Sequence, residues 1–184
     1  MNGVTQFTGF SRLLHWVMAV MVLTMLFIGI TMVTSLADYH QLVAIHRPLG
    51  IAILVLVVIR LINRLLHKPP PLPDHMPGWQ RLAAKVSHWL LYALLFAMPL
   101  VGWAMLSAGR YPIVLWGPLH LPPILPPDAM LYAALRRVHT CLAYLLFATF
   151  LAHLGAALMH GLIHRDGVLA SMAPWRIAKA KSGS

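Results

Sequence analysis

The chain is 184 residues long, 60% hydrophobic and only 10% charged, with a mean hydropathy of +0.76, a composition that excludes an ordinary soluble domain and points to lipid. Fourteen Lys and Arg against four Asp and Glu leave a formal charge of +10. In a soluble protein that balance would suggest nucleic acid, whereas here it sets the topology of a membrane protein.

Runs of about 20 apolar residues fall at roughly 11–34, 44–66, 80–106 and 135–163. The expected fold is therefore all-α: an integral membrane four-helix bundle, with residues 1–184 forming one domain. Ser35-Leu36-Ala37 is a passable cleavage site after the first run. That run is too long for a signal-peptide core and carries His15, so it is read as a retained helix. The tract "KPPPLP" at 68–73 reads as a stiff connector after the second run.

Between the third and fourth runs, "IVLWGPLHLPPILPPDAM" is apolar enough to imitate a fifth span, but Pro118, Pro122, Pro123, Pro126 and Pro127 rule out a regular helix. It is expected to be a loop packed over the outer ends of the bundle, with Tyr111 and Trp116 suited to the interface. Ten basic residues (Arg12, Arg60, Arg64, Lys68, Arg81, Lys85, Arg165, Arg176, Lys179 and Lys181) lie on one side and four (Arg47, Arg110, Arg136 and Arg137) on the other. Both termini are thus expected to be cytoplasmic.

The fourth run, "RRVHTCLAYLLFATFLAHLGAALMH", carries His139, His153 and His160, and an imidazole in lipid must find a partner or cost free energy. Each helical residue turns the chain by about 100° and advances it about 1.5 Å. His139 and His153 therefore share a face, about 21 Å apart along the axis, and His160 stays on that face roughly 10 Å nearer the cytoplasm. His46, in "IHRPLG", lies at the depth of His139, and His15, in "SRLLHW", at the depth of His153.

A lone intramembrane histidine is commonly a helix–helix hydrogen bond. Four histidines forming two pairs at two depths call for another explanation, two bis-histidine haem b irons. Cys141 is the single cysteine and no C-x-x-C-H motif exists, so any haem is held non-covalently. With both axial positions filled, such irons carry electrons rather than bind oxygen.

Other residues are consistent with that reading. Gly50, four after His46, and Gly155, beside His153, would let a flat ring approach the backbone, although small residues equally serve helix packing. Arg47, Arg136 and Arg137 flank the outer pair, either as partners for propionates or as snorkelling helix ends. Arg60 follows His46 by 14 residues and so places a cation about 21 Å deeper, beside the inner haem, for a propionate or a substrate oxygen. His88, in "KVSHWLLY", is read with His160 as a candidate quinone site beside that haem, or else as an interfacial histidine next to Trp89. His40, His67, His75, His120 and His164 fall in loops or at helix ends and are assigned only solvation.

The ordered set "SRLLHW", "HRPLGIAILVLVVIRL", "SHWLLYALLFAMPLVG" and "VHTCLAYLLFATFLAHLGAALMH" followed by "RDGVLASMAP" resembles the prokaryotic cytochrome b561 family from about Phe10 to Trp175. The resemblance implies a bacterial inner-membrane protein with His15 and His153 on the inner haem and His46 and His139 on the outer one. It also implies electron exchange with ubiquinone. One branch is similar to superoxide oxidase, which takes electrons from periplasmic superoxide, and another supplies the haem b anchor subunit of nickel-iron hydrogenases and formate dehydrogenases.

The expected function is electron transfer from superoxide, through an outer and an inner haem, to ubiquinone. The alternative is an anchor for a periplasmic dehydrogenase or hydrogenase. Arg47, Arg110, Arg136 and Arg137 against Asp38 and Asp128 leave the outer face at +2, which favours capture of a small anion. Inward electron movement opposes the membrane potential at about 2.3 kcal/mol per 100 mV, so a strongly reducing donor is needed.

Overall fold

The computed structural model describes residues 6–73 and 76–173. His75 and the basic residues Arg176, Lys179 and Lys181, used above to orient the chain, lie outside the described residues. Four long helices dominate: α1 (Gly9–Thr34), α2 (Tyr39–Leu66), α3 (Gly78–Ala108) and α4 (Ala129–Leu158). Each is long and apolar enough to cross a membrane. Two of the helices, α1 and α4, begin at polar caps. Thr8 Oγ1 accepts from the Ser11 N–H at the start of α1, and Asp128 Oδ1 accepts from the Leu131 N–H at the start of α4. Pro48 and Pro99 sit inside α2 and α3.

The lateral surface is apolar. Leu13, Val20, Phe27, Leu65 and Tyr144 are each more than 60% exposed, as expected where lipid rather than water is the solvent. Closely packed helix neighbours are α1 with α2, α2 with α3, and α3 with α4, whereas α4 has no comparable packing against α1 or α2. A gap therefore separates α4 from the first two helices. Inside the bundle Asn63 Nδ2 donates to Ser11 Oγ at 2.6 Å, locking α2 to α1, and Thr149 Oγ1 returns its hydrogen bond to the Leu145 carbonyl of its own helix.

The proline-rich segment after α3 contains a β-hairpin, which the all-α expectation lacks. Strands β1 (Ile113–Trp116) and β2 (Leu119–Leu121) pair antiparallel, Ile113 opposite Leu121 and Val114 opposite His120, around Gly117 at φ +50°. The prolines flank the ladder, where no N–H is demanded of them. Three bonds hold this segment over the helix ends: Arg47 Nη1 to the Pro112 carbonyl, Trp103 Nε1 to the Pro122 carbonyl, and the Ile124 N–H to Ser107 Oγ.

At the opposite end α4 widens into a π-helix, Met159–His164, turns through left-handed Arg165 and Gly167, and enters a one-turn helix, α5 (Val168–Ser171). A Cβ on Gly161 would overlap the Leu169 side chain. The terminal strap then closes on α1: Phe7 N–H bonds the Ser171 carbonyl, Trp16 Nε1 the Met172 carbonyl and Arg12 Nη1 the Ala173 carbonyl. The beginning and end of the described chain thus meet at one end of the bundle, and the hairpin marks the other.

Candidate functional site

Helix α4 delivers one histidine to each end of the gap. Towards the hairpin, His139 faces His46 of α2 with ring centres 6.3 Å apart and planes at 64°. Towards the terminal strap, His153 faces His15 of α1, again at 6.3 Å, with planes at 75°. Both pairs span the helix neighbours that do not pack against one another. The 14-residue spacing along α4 explains why one helix serves both ends.

Two imidazoles bound on opposite sides of one metal ion at about 2 Å hold their ring centres roughly 6 Å apart, which is the separation found at both ends. At the hairpin end Nδ1 of His46 and Nδ1 of His139 are buried without a hydrogen-bond partner, although the Met98 carbonyl lies near the His139 ring. Orphaned imidazole nitrogens in an apolar interior are costly. Paired imidazoles facing one another across a gap between helices fit a non-covalent b-type haem.

The glycines differ in what they border. A Cβ on Gly50 would make ordinary 3.7 Å contact with Met25 Cε of α1, whereas one on Gly155 would meet nothing within 4 Å. Gly102 of α3, which sequence reasoning missed, is the tighter neighbour: its Cβ would sit 3.3 Å from His139 Cε1. A large side chain there would push His139 out of line.

The strap end holds more polar groups. Arg60 Nη2 lies 3.2 Å from His15 Nδ1, and Arg60 Nη1 is buried with no partner. His88 of α3 packs edge-on to His153, ring centres 5.3 Å apart and planes at 77°, and donates from Nδ1 to the Ala84 carbonyl at 2.5 Å. Arg60, Asn63, Arg64, His67, His88 and Tyr92 line a crevice of about 40 Å³ with no carboxylate among the described residues on its walls.

Sequence reasoning joined His88 to His160, and the structure gives them different partners. His160, 8% exposed, bonds through Nδ1 to Asp166 Oδ2 at 2.6 Å, and its ring packs on His164 at 5.2 Å. Burial pushes the Asp166 carboxyl up, but hydrogen bonds from His160 and from the Val168 N–H outweigh it and hold the group below its usual range. Asp166 thereby fastens α4 to α5. Its pairing depends on the widened helix exit, which no periodicity in the sequence announces.

At the hairpin end Arg47 is engaged with the Pro112 carbonyl through Nη1 while its buried Nε lacks a partner, and Arg136 and Arg137 are exposed. A second feature missed in the sequence lies here, an open cavity of about 360 Å³ bordered by Arg110, Tyr111, Asp128 and Tyr132. The two tyrosine rings lie 5.7 Å apart, Arg110 adopts φ +59°, and a Cβ on Gly109 would strike both rings.

Comparison with known proteins agrees with this architecture. The profile of the family described as prokaryotic cytochrome b561 matches residues 6–175. The chain is similar to cytochrome b561 homolog 2 of Escherichia coli, 34% identical with 88% of each chain covered. It is also similar to cytochrome b561 homolog 1 of the same organism, 29% identical over 89% of this chain and 94% of the relative. A probable superoxide oxidase, CybB, of Yersinia pestis is 34% identical over 71% of this chain and 73% of its own length.

Proposed function

Because the chain belongs to the prokaryotic cytochrome b561 family, multi-pass bacterial inner-membrane proteins of electron transfer that bind haem b, we propose that it holds two haem b groups. His46 and His139 grip the outer one and His15 and His153 the inner, within a single domain whose termini face the cytoplasm. The proposed reaction takes one electron from each of two superoxide anions, releasing two molecules of oxygen, and delivers both electrons with two cytoplasmic protons to one ubiquinone, giving ubiquinol. Haem supplies the one-electron iron couple that this stoichiometry needs.

The observation that carries the reading is the equal 6.3 Å separation of the two histidine pairs, both anchored on α4. The residues of this chain perform the remaining tasks. The open cavity, bordered by Arg110 together with the capping Asp128, offers a superoxide anion an approach at the hairpin end, and Tyr132 precedes His139 by seven residues, two helical turns on one face. The crevice at the strap end, with donors on Tyr92 and Arg64 and no carboxylate among the described residues, suits the oxygens of a quinone head group. The strap closed on α1 shields the inner centre from the aqueous side.

Superoxide as donor is also supported by the similarity to the probable superoxide oxidase of Yersinia pestis. Stopped-flow mixing of superoxide with the oxidised protein tests it: rapid appearance of the reduced b-type spectrum is expected. A protein that stays oxidised, yet is reduced by a periplasmic dehydrogenase, would be an anchor subunit instead.

A further inference from the structure

The two centres differ in what faces their ligands. At the outer centre Nδ1 of His46 has no hydrogen-bond partner among the described residues, the Met98 carbonyl lies near the His139 ring, and the nearest guanidinium in sequence, Arg47, spends Nη1 on the Pro112 carbonyl. At the inner centre a guanidinium lies directly against an imidazole that would hold the haem: Arg60 Nη2 is 3.2 Å from His15 Nδ1. An imidazole ligand ordinarily turns its outer nitrogen to a carbonyl or carboxylate, which strengthens its donation to the metal. Arginine has no acceptor atom and never loses its charge. Towards a neutral His15 that keeps its Nδ1 proton, Arg60 acts as a positive charge.

We infer that Arg60 is a positioning residue for the electron, raising the reduction potential of the inner haem above that of the outer through its place beside His15. This rests on the proposed assignment of His15 and His153 to the inner haem. Ferrous iron carries one positive charge fewer than ferric iron, so a fixed cation beside the ligand favours the reduced form. The effect is large where neither water nor salt screens it. Arg60 is fixed by its position: it is partly buried, with Nη2 against His15, and no acid among the described residues lines the adjoining crevice. An inner centre that is easier to reduce draws electrons inward, against the membrane potential.

Potentiometry of the full-length holoprotein, followed in the haem α-band, tests this. Arg60→Gln is expected to lower one of the two midpoint potentials and leave the other, and the same fall should appear in an Arg60→Gln/His139→Ala protein that keeps only the inner haem. Arg60→Lys, which preserves the charge, should retain most of the wild-type potential. The inference is overturned if Arg60→Gln moves neither wave or both alike, if Arg60→Lys falls as far as Arg60→Gln, or if both variants simply lose the inner haem. Failure of the two-haem reading looks different: the wild type itself would lack two b-type waves.

Discussion

His46 on α2 and His139 on α4 face each other across a gap that their helices do not close by packing, with ring centres 6.3 Å apart and Nδ1 of His46 buried without a partner among the described residues. Removing one ring should therefore affect only that end of the bundle. His139→Ala is expected to lose the outer haem and keep the inner, halving the haem-to-protein ratio. Loss of the inner haem alone, or of neither, would refute the pairing.

Gly102 sets the room behind His139. Adding a methyl group at 3.3 Å from His139 Cε1 requires a shift of a few tenths of an ångström, so Gly102→Ala should keep both haems with an altered low-spin EPR signal from the outer one. Gly102→Val has no such slack, and overpacking of this kind costs about 1–3 kcal/mol. It is expected to reproduce the haem loss of His139→Ala. Full haem content in Gly102→Val would show that His139 is not held by this contact.

The pairing of His160 with Asp166 is expected to stabilise the terminal strap rather than either histidine pair. Asp166→Asn should lower the melting temperature in detergent by a few degrees, as expected for loss of a part-buried hydrogen bond to a charged group, while haem content stays at the wild-type value. The sign of the pH dependence follows from the direction of the shift. Asp166 is held below its ordinary 3.8, so its contribution is complete above that pH and is lost as the pH falls through the lowered folded-state value. The gap in melting temperature between wild type and variant should close in acid below about 4. A gap that persists there undiminished would contradict the assignment.

Charge on the outer face should appear in the kinetics. Superoxide is an anion, and steering by exposed cations is screened over about 10 Å at 0.1 M salt. The second-order rate of reduction by superoxide is expected to fall with ionic strength, and Arg136→Gln combined with Arg137→Gln to lower it roughly two- to tenfold at low salt. A rate indifferent to both would mean that these arginines only end their helix.

The four helices were legible because runs of apolar residues leave lipid-soluble segments few alternatives. The meeting of His139 with His46, and of His153 with His15, was legible from 14-residue spacing and depth alone, since helix geometry fixes both. Contacts that depend on how helices cross were not. Neither the approach of His88 to His153 nor that of Gly102 to His139 leaves a trace in a single helix's periodicity, because both lie between α3 and α4. The cation expected at the depth of the inner pair is Arg60, but that it touches His15 depends on the packing of α2 on α1. The hairpin at Ile113–Leu121 was hidden by its own prolines, which exclude a helix without saying that the residues between them pair.

The most direct test of the central claim is haem quantitation on the purified, fully loaded protein, by pyridine haemochrome and iron analysis against protein mass, together with its low-temperature EPR spectrum. Two haem b per chain, both low-spin and six-coordinate, are expected. A single haem, none, or a high-spin centre with an open axial position would contradict the assignment of the four histidines.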